Sequence, residues 1–371
     1  MVRLGDYFTT QEDRDLVLKI LKSNRLSEGK YVREFEEKWA DFCGTKYAVL
    51  TNSGTSALVC ALEVLKGYHT GRRVLTTPLT FIATINAIVL AGYEPLFSDV
   101  NKETFVIEPC IGADIFLPVH LYGYPVDMKS FNYKYMIEDA AEAHGTLYEG
   151  KKVGSIGLMG CFSFYIAHNI QVGDMGAVTT NNLHIYKELK KVKAHGRMCE
   201  CSVCRRLEEK CPHKDKSFDP RFTHTRIAYN FKTTEIQAAL GLGQLKIADQ
   251  IIKKRQENVK YLNDGLAGIK ELQLPIHDET VSYLSYPVIL KDPDIDRSKF
   301  LNKLSKTVEN RPLFSCVPTQ QPAYIHLKER WKGRLPNAEW LGERGFHLPV
   351  HQYLTEEELD IMIKEIKKCV H

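Results

Sequence analysis

The segment YAVLTNSGTSALVCALEVLKG, residues 47–67, decides the fold class because it changes from strand to helix character within one turn. YAVLTN is a short apolar run typical of a buried strand, and SGTSALVCALEVLKG then opens a helix. The same alternation continues in RVLTTP, TFIATINAIVLAG and EPLFSDV. Alternation of this kind predicts an α/β protein whose mostly parallel sheet is covered by helices on both faces.

The character of the sequence changes near residue 250. Residues 234–266 predict one long helical stretch that its glycines can interrupt. We interpret this stretch as the connection between a large domain, residues 1–250, and a smaller C-terminal α+β domain, residues 251–371. The large domain carries a cysteine-rich insert at residues 196–216.

Length and charge limit the classes of function. The 371 residues are enough for a large domain with a smaller one. The 50 basic and 46 acidic residues give a net charge of +4, which is too small to indicate binding to nucleic acid or to an anionic membrane. The first residues lack the apolar core of a signal peptide, and no apolar run approaches the roughly 20 residues that cross a bilayer. We therefore predict a cytoplasmic protein with neither nucleic acid nor membrane as a partner.

Small polar residues lie at the junction between the strand and the helix of the first segment. Ser53, Gly54, Thr55 and Ser56 would place free backbone N–H groups and the positive end of the helix dipole at one point. Such a point can bind an anion such as phosphate. The alternative is an ordinary helix cap, for which serine and threonine are common.

Two acidic residues end another predicted strand. Glu138 and Asp139 close the apolar run of YMIEDAA, residues 135–141. A carboxylate at the C-terminal end of a strand lies where α/β sheets bind their ligands. The alternative is a loop carboxylate that caps the next turn.

Several motifs occur together and in the order of a known family. They are TNSGTSAL (51–58), TFIATINAI (80–88), IEDAAEAHG (137–145), GCFSFYIAHN (160–169) and YNFKTTEIQAALGLGQL (229–245). From about Tyr7 to its C-terminal helix, the chain resembles the DegT-type sugar aminotransferase family. The resemblance implies a type I pyridoxal-phosphate fold. It also implies a homodimer whose two sites are built across the subunit interface.

The resemblance further implies the residues that bind the cofactor, which are Gly54, Thr55, Phe81, Asp139, Glu142, Ser163 and Asn230. By this resemblance, Gly54, Thr55 and Ser163 would hold the phosphate. Asn230 would reach the phosphate of the cofactor in the neighbouring subunit.

Three other residues are implied to bind the cofactor ring. Phe81 would stack on the ring, and Asp139 would bind the ring nitrogen and strengthen its capacity to accept electrons. Glu142 would lie near the ring hydroxyl, where most family members have glutamine.

The segment FSFYIAHNIQVGDMGAVTTNN, residues 162–182, resembles the strand and turn that carry the reactive lysine of the family. No lysine occurs between Val153 and Tyr186, and His168 stands at the lysine position. An imidazole cannot form the stable Schiff base that a primary amine forms with the cofactor. The resemblance therefore narrows to the 3-dehydratases of nucleotide-linked 4-keto-6-deoxyhexoses, which share this change and use pyridoxamine phosphate.

In this branch His168 would be the base that takes a proton from the C4′ carbon of pyridoxamine phosphate while the sugar loses its C3 hydroxyl. We therefore predict a 3-dehydratase or deoxygenase that binds pyridoxamine or pyridoxal phosphate and a nucleotide sugar. One alternative is an aminotransferase relative with altered or lost activity. Another is a non-catalytic, metal-stabilised binding or regulatory protein. A laboratory substitution at this position would also explain the histidine.

Four cysteines lie close together in the insert. Cys199, Cys201, Cys204 and Cys211 have the spacing C-x-C-x₂-C-x₆-C, which favours a metal site in a cytoplasmic chain. Either zinc or an iron–sulfur cluster suits four thiolates. An iron–sulfur cluster could carry single electrons to the sugar, in which case an electron-donating reductase would be a partner. The alternative is that the insert tolerates cysteines that bind no metal.

Overall fold

The computed structural model describes residues 1–110, 112–199, 211 and 217–370. The α-helices in these residues are α1 (Gln11–Lys22), α2 (Lys30–Cys43), α3 (Gly54–Leu65), α4 (Ile82–Leu90), α5 (Leu183–Val192), α6 (Glu235–Lys246), α7 (Ala248–Leu266), α8 (Arg297–Leu304), α9 (Val317–Gln320), α10 (Lys328–Trp331), α11 (Pro336–Arg344) and α12 (Glu356–Val370). The strands are β1 (Tyr47–Thr51), β2 (Arg73–Thr76), β3 (Glu94–Phe97), β4 (Ile115–Phe116), β5 (Ile137–Asp139), β6 (Leu147–Tyr148), β7 (Lys151–Lys152), β8 (Met159–Ser163), β9 (Gly176–Thr180), β10 (Leu272–Gln273), β11 (Tyr286–Leu290), β12 (Arg311–Pro312) and β13 (Gly345–Leu348). The predicted alternation of strands and helices is confirmed.

The main sheet is formed, in the described residues, by seven strands in the order β3-β2-β4-β5-β8-β9-β1. Two parallel bridges, Phe116 to Met136 and Val119 to Asp139, join its β3-β2-β4 part to its β5-β8-β9-β1 part. Strand β9 runs antiparallel to its neighbours β8 and β1, and the other pairings are parallel. The mostly parallel sheet that the sequence predicts is therefore present.

The burial of the strands shows that both faces of the main sheet are covered. Every residue of β8 and β9 is buried, and so are the last four residues of β1. Helix α3 packs on this part of the sheet and buries 10 of its 12 residues. Strands that are covered on both faces read as continuous apolar runs, as the segment of β1 does in the sequence.

The helical stretch predicted at residues 234–266 consists of two helices, and the predicted position of its interruption is wrong. Helices α6 and α7 meet at Ile247, not at a glycine. Gly241 lies inside α6, where its missing side chain lets α2 approach: a Cβ at Gly241 would lie 2.6 Å from the ring of Phe35. The glycine therefore serves helix packing and does not end the helix.

A second sheet lies in the C-terminal part of the chain and is antiparallel, in the order β10-β11-β13-β12. Helix α12 packs on α7 and α8 beside it. The first residues of the chain also reach this part, since Val2 pairs in parallel with Val308. The domain boundary at residue 250 stays a prediction. None of the helices in the described ranges is long and apolar enough to cross a membrane.

A buried carboxylate binds the loop between β7 and β8 to the end of β5. Glu138 is fully buried and accepts hydrogen bonds from the backbone N–H groups of Gly154 (2.7 Å), Ile156 (2.8 Å) and Gly157 (2.6 Å). Because Asp139 is the next residue, these bonds also fix the end of the strand that carries Asp139.

The substitution Glu138→Gln should lower the free energy of unfolding by about 3 kcal/mol, because the amide turns an N–H group toward backbone N–H donors in a buried place. Urea unfolding measures this change. The exposed control Glu103→Gln should unfold like the wild type. A loss below about 1 kcal/mol for Glu138→Gln would show that the carboxylate does not hold the loop.

Candidate active site

Helix α3 begins at the edge of the main sheet where β1 and β8 end. Ser53 caps this helix, because its side chain accepts a hydrogen bond from the backbone N–H of Ser56 at 3.1 Å. Gly54 lies against Ser163, the last residue of β8: a Cβ at Gly54 would lie 2.5 Å from the Cβ of Ser163. The structure therefore brings the predicted phosphate residues Gly54, Thr55 and Ser163 together at the positive end of α3.

Asp139 ends β5 at the same edge of the sheet and is buried. Its Oδ2 accepts a hydrogen bond from Thr84 Oγ1 of α4 at 2.8 Å, and its Oδ1 accepts one from the backbone N–H of Ala141 at 3.2 Å. Burial raises the pKa of Asp139 above its usual value, although both hydrogen bonds act in the opposite direction. A cationic group placed beside this carboxylate would offset the effect of burial.

Glu142 lies three residues after Asp139 and is also buried. Its Oε2 accepts a hydrogen bond from the backbone N–H of Tyr122 at 2.8 Å. Burial raises the pKa of Glu142 to about 8, the negative charge of Asp139 adds to the rise, and the Tyr122 N–H opposes it. Glu142 is therefore mostly protonated at neutral pH and can donate a hydrogen bond as well as accept one.

Phe81 directly precedes α4 and is 58% exposed. Its ring contacts that of Phe314, with ring centroids 5.9 Å apart. Thr84, which binds the Asp139 carboxylate, lies one helical turn further along, so Phe81 is on the same side of the sheet as that carboxylate. An exposed aromatic ring on that side offers a face on which a planar ligand can stack.

His168 lies in the turn that follows β8. The turn is closed by a hydrogen bond from the His168 N–H to the Tyr165 carbonyl at 2.9 Å. The side chain is half-buried, and its Nδ1 has no hydrogen-bond partner among the described residues. Its ring is nearly parallel to that of the buried His144, with centroids 6.1 Å apart.

Burial lowers the pKa of His168 to about 4. The Tyr165 carbonyl acts in the opposite direction, and the positive charge of Arg255 adds to the lowering. The imidazole is therefore neutral at neutral pH and can accept a proton.

Asn230 is exposed and pairs through its backbone with Ala194. No contact recorded in the described ranges joins Asn230 to Ser163, Asp139 or His168. Its predicted role at the cofactor of a neighbouring subunit stays a prediction.

The clustered cysteines are only partly described. Cys199 is half-buried and Cys211 is buried. Cys201 and Cys204 fall within residues 200–210, outside the described residues, so the predicted ligand set stays a prediction. Within the part of the chain that the structure describes, no group of three or more histidine, cysteine or acidic side chains could hold a metal ion.

Sequence reasoning missed three polar residues of the site: Thr84, Tyr122 and Asn169. The sequence contained a signal for Thr84, because this residue lies one helical turn after Phe81 in a motif already assigned to cofactor binding. Tyr122 acts through its backbone N–H, and Asn169 binds carbonyl groups near residue 283. No local pattern indicates partners that are so far apart in the chain.

The donor set fits a pyridoxal-type cofactor. The start of α3 offers backbone N–H groups to a phosphate, and the absent Cβ of Gly54 lets this start lie directly against Ser163. Asp139 is a carboxylate available to a pyridinium nitrogen, and Phe81 offers an exposed ring for stacking. Fold and site together define an enzyme of the type I pyridoxal-phosphate fold.

Comparison with known proteins gives the family. The chain belongs to the DegT/DnrJ/EryC1/StrS aminotransferase family, whose model matches residues 8–367. GDP-perosamine synthase of Escherichia coli O157:H7 is 32% identical over 375 residues, which cover 97% of this chain and 96% of that protein. The dTDP-4-dehydro-2,6-dideoxy-D-glucose 3-dehydratase of Saccharopolyspora spinosa is 29% identical over 391 residues, which cover 97% of this chain and 84% of that protein.

A solved structure shows the same fold. The E. coli GDP-4-keto-6-deoxy-D-mannose-3-dehydratase with bound hydrated PLP has a TM-score of 0.86 and 23% identity, and the match covers 99% of both chains. The family and these relatives are pyridoxal-phosphate-dependent sugar aminotransferases or dehydratases, and this chain is an enzyme of that group.

The substitution Glu142→Gln should change how the stability of the cofactor-free protein depends on pH. The pKa of Glu142 is about 8 in the folded protein, against an ordinary 4.5. Between these values the unfolded chain loses a proton that the folded protein keeps. The free energy of unfolding therefore falls as pH rises, by up to about 1.4 kcal/mol per pH unit.

Glutamine has no such proton, so Glu142→Gln should gain stability relative to the wild type between about pH 5 and pH 8 in urea unfolding. The exposed control Glu103→Gln should follow the wild type throughout. If Glu142→Gln and the wild type change in parallel, the carboxyl ionises at its ordinary pH in the folded protein.

Proposed function

We propose that this enzyme is a pyridoxamine-phosphate-dependent 3-dehydratase or deoxygenase of a nucleotide-linked 4-keto-6-deoxyhexose. The observation that carries the proposal is His168 at the expected lysine position, with no lysine between Val153 and Tyr186. Without a primary amine in this segment, the chain cannot hold the cofactor covalently there. A cofactor that brings its own amine suits such a site.

When bound, pyridoxamine phosphate supplies an amine for the 4-keto carbon of the sugar and a ring that accepts electrons. His168 would take a proton from C4′, and a hydroxide would leave from C3 of the sugar, so that proton and hydroxide depart as water. The neutral state of His168 supports this role, because only the free base can accept a proton.

The neighbouring residues would bind and orient the cofactor. Backbone N–H groups at Gly54 and the hydroxyl of Ser163 would hold the phosphate. Asp139 would pair with the ring nitrogen, and Phe81 would cover one face of the ring. Glu142, protonated at neutral pH, would donate to or accept from the ring hydroxyl.

The relatives support a nucleotide-linked sugar as the substrate class. Both curated relatives described above are named for nucleotide-linked sugars.

The surface around Asn230 supports a homodimer. Asn230 is exposed, Ile227 close to it is 99% exposed, and Phe222 is 74% exposed. Burial of these two apolar side chains against a second copy would be favourable. A second copy of the chain seated here would let Asn230 reach the phosphate of the cofactor in that copy.

An aminotransferase with altered activity is the second candidate, and the 32% identity with GDP-perosamine synthase favours it. The two candidates differ in their products. An aminotransferase replaces the 4-keto oxygen by nitrogen, whereas the proposed enzyme removes the C3 oxygen and leaves the 4-keto group.

The test uses excess pyridoxamine phosphate, which supplies the two electrons, and a panel of GDP-, CDP-, dTDP- and UDP-linked 4-keto-6-deoxyhexoses. Mass spectrometry should find one product that lacks the C3 oxygen. His168→Asn should still bind pyridoxamine phosphate but exchange the C4′ proton with solvent roughly a hundredfold more slowly. The exposed control His184→Asn should exchange it at the wild-type rate.

Three outcomes would contradict the proposal. An unchanged exchange rate in His168→Asn would remove His168 from the mechanism. A product with nitrogen at C4 would identify an aminotransferase, as would a pyridoxyl group on a lysine after treatment with borohydride.

We also propose that Cys199, Cys201, Cys204 and Cys211 bind one metal centre, zinc or an iron–sulfur cluster, on the strength of their spacing. Protein purified without oxygen should contain the metal, and Cys201→Ser should lose most of it, whereas the distant Cys369→Ser should not. Iron with matching sulfide and a paramagnetic signal on reduction would imply an electron-donating reductase as a partner. Fully active protein without metal would reject the centre.

A further inference from the structure

The residue next to His168, Asn169, binds the turn to the C-terminal part of the chain. Asn169 is fully buried, and its Nδ2 donates hydrogen bonds to the carbonyl groups of Ser282 (2.7 Å) and Tyr283 (3.3 Å). Both acceptors lie in the segment that leads into β11, more than a hundred residues further along the chain. The amide therefore fixes the position of the turn relative to the C-terminal part of the protein.

One of these carbonyl groups, that of Tyr283, also binds a buried cation. Arg255 Nη1 on α7 donates to the carbonyl groups of Tyr283 (3.2 Å) and Leu284 (2.8 Å), and its Nε donates to Gln352 Oε1 at 3.2 Å. Tyr283 has a φ of 43°, a left-handed conformation that is rare for an aromatic residue. Such a conformation persists where surrounding contacts fix it, and here Asn169 and Arg255 both bind the Tyr283 carbonyl.

Arg255 also acts through its charge. Burial lowers the pKa of its guanidinium to about 10, which leaves it cationic at neutral pH, and no carboxylate in the described ranges pairs with it. The groups that face His168 are Arg255 from α7, His144 from the segment after β5 and Tyr165 of its own turn. Burial keeps His144 neutral by lowering its pKa, so Arg255 is the charged group among these three. Its charge disfavours a proton on His168.

We propose that Asn169 and Arg255 are positioning residues for His168 and act through the carbonyl groups of residues 282–284. Asn169 fixes the place of the imidazole, and Arg255 fixes the carbonyl segment to which Asn169 binds. The inference rests on the proposed function, because it requires His168 to take the C4′ proton. A base that must reach one carbon atom loses rate steeply when it is displaced by about 1 Å, so contacts behind the turn control the rate.

The chain offers a matched control in Asn258 of α7. This residue is buried, and its Nδ2 donates to two successive carbonyl groups, those of Val350 (3.4 Å) and His351 (3.0 Å). Like Asn169, it has an Oδ1 without a hydrogen-bond partner among the described residues. Asn169→Ala and Asn258→Ala therefore remove equivalent bonds and should lower the free energy of unfolding by similar amounts.

Proton transfer should distinguish the two variants. The probe is pyridoxamine phosphate with deuterium at one of its two C4′ positions. Wild type and Asn258→Ala should exchange one C4′ position selectively. Asn169→Ala should exchange at least about tenfold more slowly and lose part of this selectivity, while it binds the cofactor with near wild-type affinity. Equal behaviour of the two variants would overturn the proposal, because a purely structural role does not change which C4′ position exchanges.

The charge of Arg255 is tested in the cofactor-free protein by NMR titration of its 13 histidines. The His168 signal is the one that His168→Asn removes. Arg255→Gln should raise the titration midpoint of His168, because the opposing charge is gone. Arg255→Lys keeps the charge and should keep the midpoint. A shifted midpoint in Arg255→Lys, or an unchanged one in Arg255→Gln, would contradict the electrostatic role.

Measurements on His168→Asn separate this inference from the proposed function. If His168→Asn exchanges the C4′ proton at the wild-type rate, the proposed function fails and the inference fails with it. If His168→Asn is slow but Asn169→Ala behaves like Asn258→Ala, the positioning role of Asn169 alone is rejected.

Discussion

Gly54 lies so close to Ser163 that a Cβ on the glycine would be 2.5 Å from the Cβ of the serine. A Cβ at Gly176, on the neighbouring strand β9, would lie 2.2 Å from the carbonyl oxygen of Ser53. These two glycines let the first turn of α3 pack directly on the end of β8 and the start of β9. The free N–H groups and the positive dipole end of α3 are thereby placed at the sheet edge where β5 ends in Asp139. Every other part of the site is positioned relative to this contact.

Much of this arrangement could be predicted from the sequence, because it is encoded locally. A buried strand that turns into a helix at Ser53 and Gly54 carries both its fold signal and its anion site in a few consecutive residues. The place of Asp139 also follows from a local pattern, an apolar strand that ends in an acid. The replacement of the lysine by His168 could be seen only through resemblance to a family, since a single histidine carries no signal of its own.

What the sequence could not show depends on partners that are distant in the chain. The glycines of residues 234–266 suggest an interrupted helix, but Gly241 lies inside α6 and lets the ring of Phe35 approach. Phe35 is more than 200 residues away, so no sequence window around residue 241 contains it. Arg255 looks like one of many basic residues on a surface helix until the fold buries it against the carbonyl groups of Tyr283 and Leu284. Burial and close approach are properties of the folded chain, so periodicity alone does not predict them.

Glu142 and His168 are both connected through neighbouring residues to the same short segment, residues 282–284. The carbonyl groups before β11 accept hydrogen bonds from Asn169, next to His168, and the N–H of Leu284 donates to the carbonyl of Tyr122 at 3.2 Å. The N–H of Tyr122 in turn binds Glu142. Burial leaves His168 without a proton and Glu142 with one at neutral pH, since it lowers one pKa and raises the other. A displacement of this segment would therefore move acid and base together, which preserves their separation while it changes their position relative to the start of α3.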